Sequence, residues 1–378
     1  MRKFFKRFLI VVLIFLAAIA GGIYFSGRTY LFTALTYWFA NVDDYTIFKN
    51  NTVTTGNPQE WPVSEAYNKA QLPDSLRQEL EKWQSLGLVV IHKDSLLYEQ
   101  YWKGYSDSSW SGSFSVAKSI VSILIGTAIQ DGLIESVLDP VGKYLPEWNE
   151  GEKANVRIKD LLTMSSGTNW NESYKNPLSV TTEAYYGTDL EKTIGRLKMV
   201  DKPGTKFIYK SGDTQILGFI LTKVTGKSLA ALAAEKLWHP LGAQHPALWS
   251  IDKVGGHEKA YCCFNTNARD FARIGQLMLD SGVWNGQRII PEQYYLESIR
   301  PSYIPDEEQL DCDYYGYQWW IYPKVAGVFY ARGILGQFII VIPQKDMVIV
   351  RLGEKMGDIY RYHTPELVQE LVQWGMNL

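Results

Sequence analysis

Between Asp107 and Asp131 the chain carries a single charged residue, Lys118. The sequence around it reads Ser113-Phe114-Ser115-Val116-Ala117-Lys118-Ser119-Ile120-Val121-Ser122-Ile123-Leu124-Ile125. A run this apolar, with one cation near its start, predicts a helix buried on most sides. Burial strips the ammonium of water, and the electropositive end of the helix opposes its charge. Both effects drive the lysine toward its neutral form. Ser115 lies one turn earlier on the same face. A hydroxyl beside a desolvated amine is a nucleophile next to its base. Spacing alone would carry little, because a serine three residues before a lysine arises by chance. Ser250-Ile251-Asp252-Lys253 repeats it, but there Asp252 can neutralise the lysine and Gly255-Gly256 break any helix. The solitary cation in a buried run is what singles out Ser115.

The chain's 378 residues hold one large domain or two smaller ones. A hydrophobic fraction of 46% and a charged fraction of 21% are globular values. A net charge of -2 gives no electrostatic reason for a nucleic-acid partner. Three cysteines, two of them adjacent (Cys262-Cys263), do not make a disulfide framework. There is no C-x-x-C and no H-E-x-x-H, and the five histidines are scattered. Neither a metal nor another cofactor is expected.

The N-terminal residues Arg2, Lys3, Lys6 and Arg7 are cationic, and Phe8 to Phe25 follows without a charge. That length predicts a membrane anchor over residues 1–27, with the basic end in the cytoplasm. The remainder is then expected on the periplasmic or extracellular side. Ala18-Ile19-Ala20 before Gly21 also fits a cleavage site, so secretion after signal-peptide removal is the alternative. Residues 28–75 read as a polar juxtamembrane connection, and 76–378 as the catalytic domain.

Within that domain, Leu76 to Trp83 is a helix candidate. Leu88 to His92 and Ser95 to Tyr98 read as strands around a Lys93-Asp94 turn. Val156 to Met164 is helical, and the region to about Asp280 is mostly helices separated by Gly and Pro. Tyr315 to Tyr322, Val325 to Arg332, Gln337 to Ile342 and Met347 to Arg351 are strand-like, with a closing helix from Pro365 to Met376. Strands at both ends with helices between them predict an α+β fold: an antiparallel sheet flanked by helices, formed by both ends of the catalytic region, with a helical region inserted.

Three motifs in this order resemble the penicillin-recognising serine hydrolases, a family that includes class C β-lactamases, D-alanyl-D-alanine carboxypeptidases and related esterases. They are Ser115-Val116-Ala117-Lys118, Leu161-Leu162-Thr163-Met164-Ser165-Ser166-Gly167, and Pro203-Gly204-Thr205-Lys206-Phe207-Ile208-Tyr209-Lys210-Ser211. Tyr261 to Arg273, Tyr315-Gly316-Tyr317-Gln318-Trp319-Trp320 and Ala331-Arg332-Gly333-Ile334 are most similar to 6-aminohexanoate-dimer hydrolases. The resemblance implies a β-lactamase/transpeptidase-like fold and an acyl-enzyme on Ser115, with Lys118 as base. It also implies a tyrosine followed two residues later by Asn or Ser. Tyr174-Lys175-Asn176 and Tyr209-Lys210-Ser211 both qualify, and the Pro-Gly context selects Tyr209 as acid/base partner. Tyr174 then matches a tyrosine that holds the substrate amide nitrogen, and Ser211 and Gly333 border the substrate. The N–H groups of Ser115 and Ile334 are expected to form the oxyanion hole.

Many relatives carry Lys-Thr-Gly or His-Thr-Gly where this chain has Ala331-Arg332-Gly333. Ala331 cannot hold a substrate carboxylate, and Arg332 belongs to the opposite face of that strand. The expected substrate is therefore a small-molecule amide or ester. A β-lactamase or D-alanyl-D-alanine carboxypeptidase is the rival, and a non-catalytic membrane-anchored binding protein is the alternative of another class.

Overall fold

A computed structural model describes residues 2–378. Helix α1 (Arg2–Phe25) has a mean hydropathy of 2.8 over its most apolar window, and none of that window is buried against the protein. Helix α2 (Tyr30–Tyr37) follows and does pack, burying Tyr30, Leu31 and Ala34. Strand β1 (Lys49–Val53) and helix α3 (Asp74–Lys82) then lead into the hairpin of β2 (Ser85–His92) and β3 (Ser95–Tyr101). Lys93 and Asp94 both have positive φ, 49° and 57°, as a two-residue turn between twisted strands requires.

The apolar runs from the two chain ends meet in one sheet, as the α+β expectation requires. Strands β7 (Trp320–Ile321), β8 (Phe329–Gly333), β9 (Gln337–Ile342) and β10 (Met347–Gly353) join the hairpin in the order β3-β2-β10-β9-β8-β7, antiparallel throughout. Side chains alternate between faces. Val89, Ile91, Ile339, Val341, Val348 and Val350 pack with helices α4 (Val116–Gln130) and α6 (Ala268–Leu279). Leu88, Val90, Ile340 and Ile349 pack with α3 and the closing helix α7 (Glu366–Asn377). Cover on both faces explains why these strands read as continuous apolar runs.

Three expectations change. The strand read over Val325 to Arg332 begins only at Phe329, after a turn. Tyr315 to Tyr322 forms a strand only at Trp320–Ile321; Tyr315 packs beside Phe207 and Tyr209, Tyr317 against Tyr294 and Trp319 against Phe329. Residues 28–75 are not a loose connection. Strand β1 pairs residue for residue with β5 (Ala247–Ile251) in a second sheet, β1-β5-β6-β4, with β6 (Phe264–Thr266) and β4 (Ser111–Gly112). Val42, Val53, Trp61 and Leu72 are buried. In Lys49-Asn50-Asn51-Thr52-Val53 only Val53 is buried, so no apolar alternation marks the strand in sequence.

Candidate active site

The small sheet delivers the chain to Ser115. After β4, the N–H of Ser113 donates to Phe264 O at 2.8 Å, and the Ser113 Oγ accepts from the Phe264 N–H at 3.2 Å. Phe114 is then held at φ 44°, a left-handed conformation that costs a bulky residue about 1–3 kcal/mol. This sharp turn sets Ser115 at the N-cap of α4, yet its hydroxyl caps nothing. It accepts instead from Lys118 Nζ at 2.7 Å.

Lys118 is 1% exposed, and its second hydrogen bond goes to the backbone oxygen of Tyr261 at 3.0 Å. Tyr261 directly precedes Cys262 and Cys263, which are joined to each other in a disulfide. Burial pulls the Lys118 pKa from 10.5 to about 8; the charge of Glu172 opposes the shift and that of Arg332 adds to it. The Tyr209 ring centroid lies 5.0 Å from Lys118 Nζ. Burial first, then the charge of Glu172, keep the Tyr209 phenol protonated well above its ordinary range, while Ser115 and Arg332 act in the opposite sense. The rival serine-lysine pair has no such surroundings. Ser250 lies in β5 with its Oγ donating to Asn50 Oδ1 at 2.8 Å, and Lys253 is exposed.

Of the two tyrosines, only Tyr209 stacks beside Lys118. Tyr174 is 41% exposed, and its hydroxyl donates to Glu172 Oε1 at 2.6 Å. Ser211 does not face the cleft. It is fully buried at the start of helix α5 (Ser211–Thr225), and its N–H and Oγ donate to Glu172 at 2.7 and 2.6 Å. Trp170 Nε1 donates to the same carboxylate at 2.7 Å. Glu172 is thus a hub that the sequence reading missed. The available signal was the alternation of Trp170, Glu172 and Tyr174, which an extended segment places on one face.

Gly333 ends β8 against the turn that precedes Ser115. A Cβ there would collide with Ser113 O and crowd Phe114, so only glycine permits this approach. Ile334 follows at once, before a turn with Leu335 at φ 63° and Gly336 at φ 83°. The fully buried Arg351 braces that turn by donating to Leu335 O at 2.9 Å and Gly336 O at 2.8 Å. Ala331 is fully buried in the core on the α4 side. Arg332 leaves the strand on the other face, 3.4 Å over the Trp320 ring, which itself lies 5.5 Å from that of Tyr209. From the face opposite Ala331, its charge acts on both Lys118 and Tyr209. Among the described residues, no group of His, Cys, Asp and Glu could hold a metal ion.

The Beta-lactamase family model matches residues 74–371. The 6-aminohexanoate-dimer hydrolase of Paenarthrobacter ureafaciens is 29% identical over 301 residues, 75% of this chain and 76% of that protein. A provisionally described D-alanyl-D-alanine carboxypeptidase of Escherichia coli K12 is 28% identical over 185 residues, covering 43% of this chain and 42% of that protein. Among solved structures, a provisionally described 6-aminohexanoate-dimer hydrolase from Bacillus anthracis superposes with a TM-score of 0.73 at 24% identity, covering 89% of this chain and 91% of that one. A family VIII carboxylesterase gives a TM-score of 0.65 at 17% identity, over 84% of this chain and 99% of that one. With this fold, these relatives and a lysine-paired serine at the head of its buried helix, the chain belongs to the beta-lactamase family and is a serine hydrolase.

Proposed function

We propose that the protein cleaves an amide or ester bond of a small molecule through an acyl-enzyme on Ser115. The observation that carries this reading is the 2.7 Å contact between Ser115 Oγ and a lysine whose pKa is drawn down to about 8. Neutral Lys118 takes the Ser115 proton as Oγ attacks the carbonyl carbon. The N–H groups of Ser115 and Ile334 hold the oxyanion, a contribution of about 10²–10³ in rate per donor. Tyr209, kept protonated, passes a proton to the leaving group and regains one from Lys118. Water then attacks the acyl-enzyme and the same groups act in reverse. Gly333 lets the β8 backbone approach the substrate, and Tyr174 borders it on the leaving-group side. The serine in second position after Tyr209, Ser211, supports this wall through Glu172 rather than by touching substrate.

A fluorophosphonate probe tests the nucleophile. It should label the protein and Ser250→Ala, but not Ser115→Ala, and only Ser115→Ala should lose turnover. Hydrolysis by folded Ser115→Ala would sink the assignment.

We also infer that α1 anchors the protein in a membrane, since its window is wholly unburied and apolar. The full chain should then resist alkaline carbonate extraction with its N-terminus intact. A soluble form beginning at Gly21 would show a cleaved signal sequence instead.

A further inference from the structure

An apolar space adjoins Tyr174 and Ile334. A cavity of about 550 Å³ is lined by Tyr174 and Ile334 and by Leu35 and Trp38 of the C-terminal half and end of α2. Tyr185 and Tyr186 also line it. Lys175 also lines the space and the buried Tyr186 hydroxyl has no partner, but three other wall hydroxyls are bonded to protein. Thr181 Oγ1 donates to Asn171 O at 2.6 Å, Thr182 Oγ1 to Asn176 O at 2.9 Å, and the Tyr185 hydroxyl to Asp44 at 2.7 Å. What remains facing the space is largely hydrocarbon and aromatic surface. The size falls within the roughly 300–1,000 Å³ of small-molecule sites. Trp38, at the C-terminal end of α2, is 64% exposed.

We propose that this cavity takes the unbranched hydrocarbon chain of an amphiphilic ester or amide whose carbonyl sits at Ser115. The proposal rests on the hydrolase reading and narrows its substrate class. Two observations support it: the cavity is lined by Tyr174 and Ile334, and its wall is largely hydrocarbon and aromatic, with the Thr181, Thr182 and Tyr185 hydroxyls bonded to protein. A small polar amide would leave this space unused.

The test measures kcat/KM of the full chain in nanodiscs against p-nitrophenyl acetate, butyrate, octanoate and dodecanoate. A second series uses acetyl esters of the corresponding alcohols, so that the chain lies on the leaving group. Each methylene taken into an apolar pocket is worth up to about fourfold. In one series, octanoyl or octyl substrate should exceed its two-carbon counterpart by at least about thirtyfold. Ala40→Trp, which fills the cavity from the α2 side, should lower that ratio at least about tenfold. Leu35→Asn, a milder change at an exposed position, should lower it in the same direction. A flat response in both series, or a ratio untouched by either substitution, overturns the chain pocket and leaves the hydrolase reading standing. Failure of the folded protein to turn over any ester, acetate included, overturns both.

Discussion

Catalysis should titrate with Lys118. A lysine at its ordinary pKa of 10.5 would be neutral in only about three molecules in ten thousand at pH 7. Burial brings the Lys118 value to about 8, so about one in ten is neutral there, a gain of about three hundredfold. Only the neutral amine can take the Ser115 proton, so activity is low below this pKa and rises with pH. In purified enzyme, kcat/KM for a short activated ester should climb about tenfold per pH unit from pH 6 and flatten above about 8. Tyr209 stays protonated through that range, so no second limb should bend the curve down before strongly alkaline pH. Two other buried groups titrate nearby: Asp213 at about 7, bonded to Ser166, and Lys259 at about 8, held by Ala184 O. Lys118→Met separates them, because it leaves both in place. It should cost about 10²–10⁴ in kcat/KM and abolish the limb. Glu172→Gln removes the charge that raises the Lys118 pKa and should move the limb to lower pH. A flat wild-type profile from pH 6 to 9, or an unchanged limb in Lys118→Met, refutes the reasoning.

The closeness of β8 to the turn before Ser115 can be checked by adding one methyl group. Gly333→Ala drives a Cβ into Ser113 O, so kcat should fall at least about tenfold with the fold retained by circular dichroism; unchanged kcat would detach this strand from the chemistry. Tyr174→Phe should weaken amide cleavage more than ester cleavage, since only an amide presents a nitrogen to the phenol, and equal effects on matched substrates would remove Tyr174 from the leaving-group side. Because Ala331 is buried and uncharged where relatives offer a cation, short esters or linear amides should exceed benzylpenicillin in kcat/KM by at least about tenfold. A better rate with the β-lactam would reverse that reading.

What the chain revealed by itself was local or strongly patterned. Ser115 and Lys118 are one helical turn apart, so their contact follows once the apolar run forms a helix, and no distant residue is needed to infer it. The main-sheet strands were legible because burial on both faces demands uninterrupted apolar side chains. The Lys93-Asp94 turn was legible because two short strands flank it. The second sheet was hidden, since β1 is a polar strand whose pairing with β5 spans about two hundred residues of sequence and rests on backbone hydrogen bonds. Glu172 was hidden for a related reason: a carboxylate reads as surface until Trp170, Tyr174 and Ser211 are seen to converge on it. Lys118 and Lys259 show the same limit. Both are buried and both are drawn down to about 8, but Lys259 meets backbone carbonyls and an aromatic ring rather than a hydroxyl. Sequence decided that Lys118 would lie beside a serine. Only the tertiary structure decided that Tyr209, the Tyr261 carbonyl and the Gly333 strand end would surround that pair, because loop closure over such separations is governed by packing and not by local spacing.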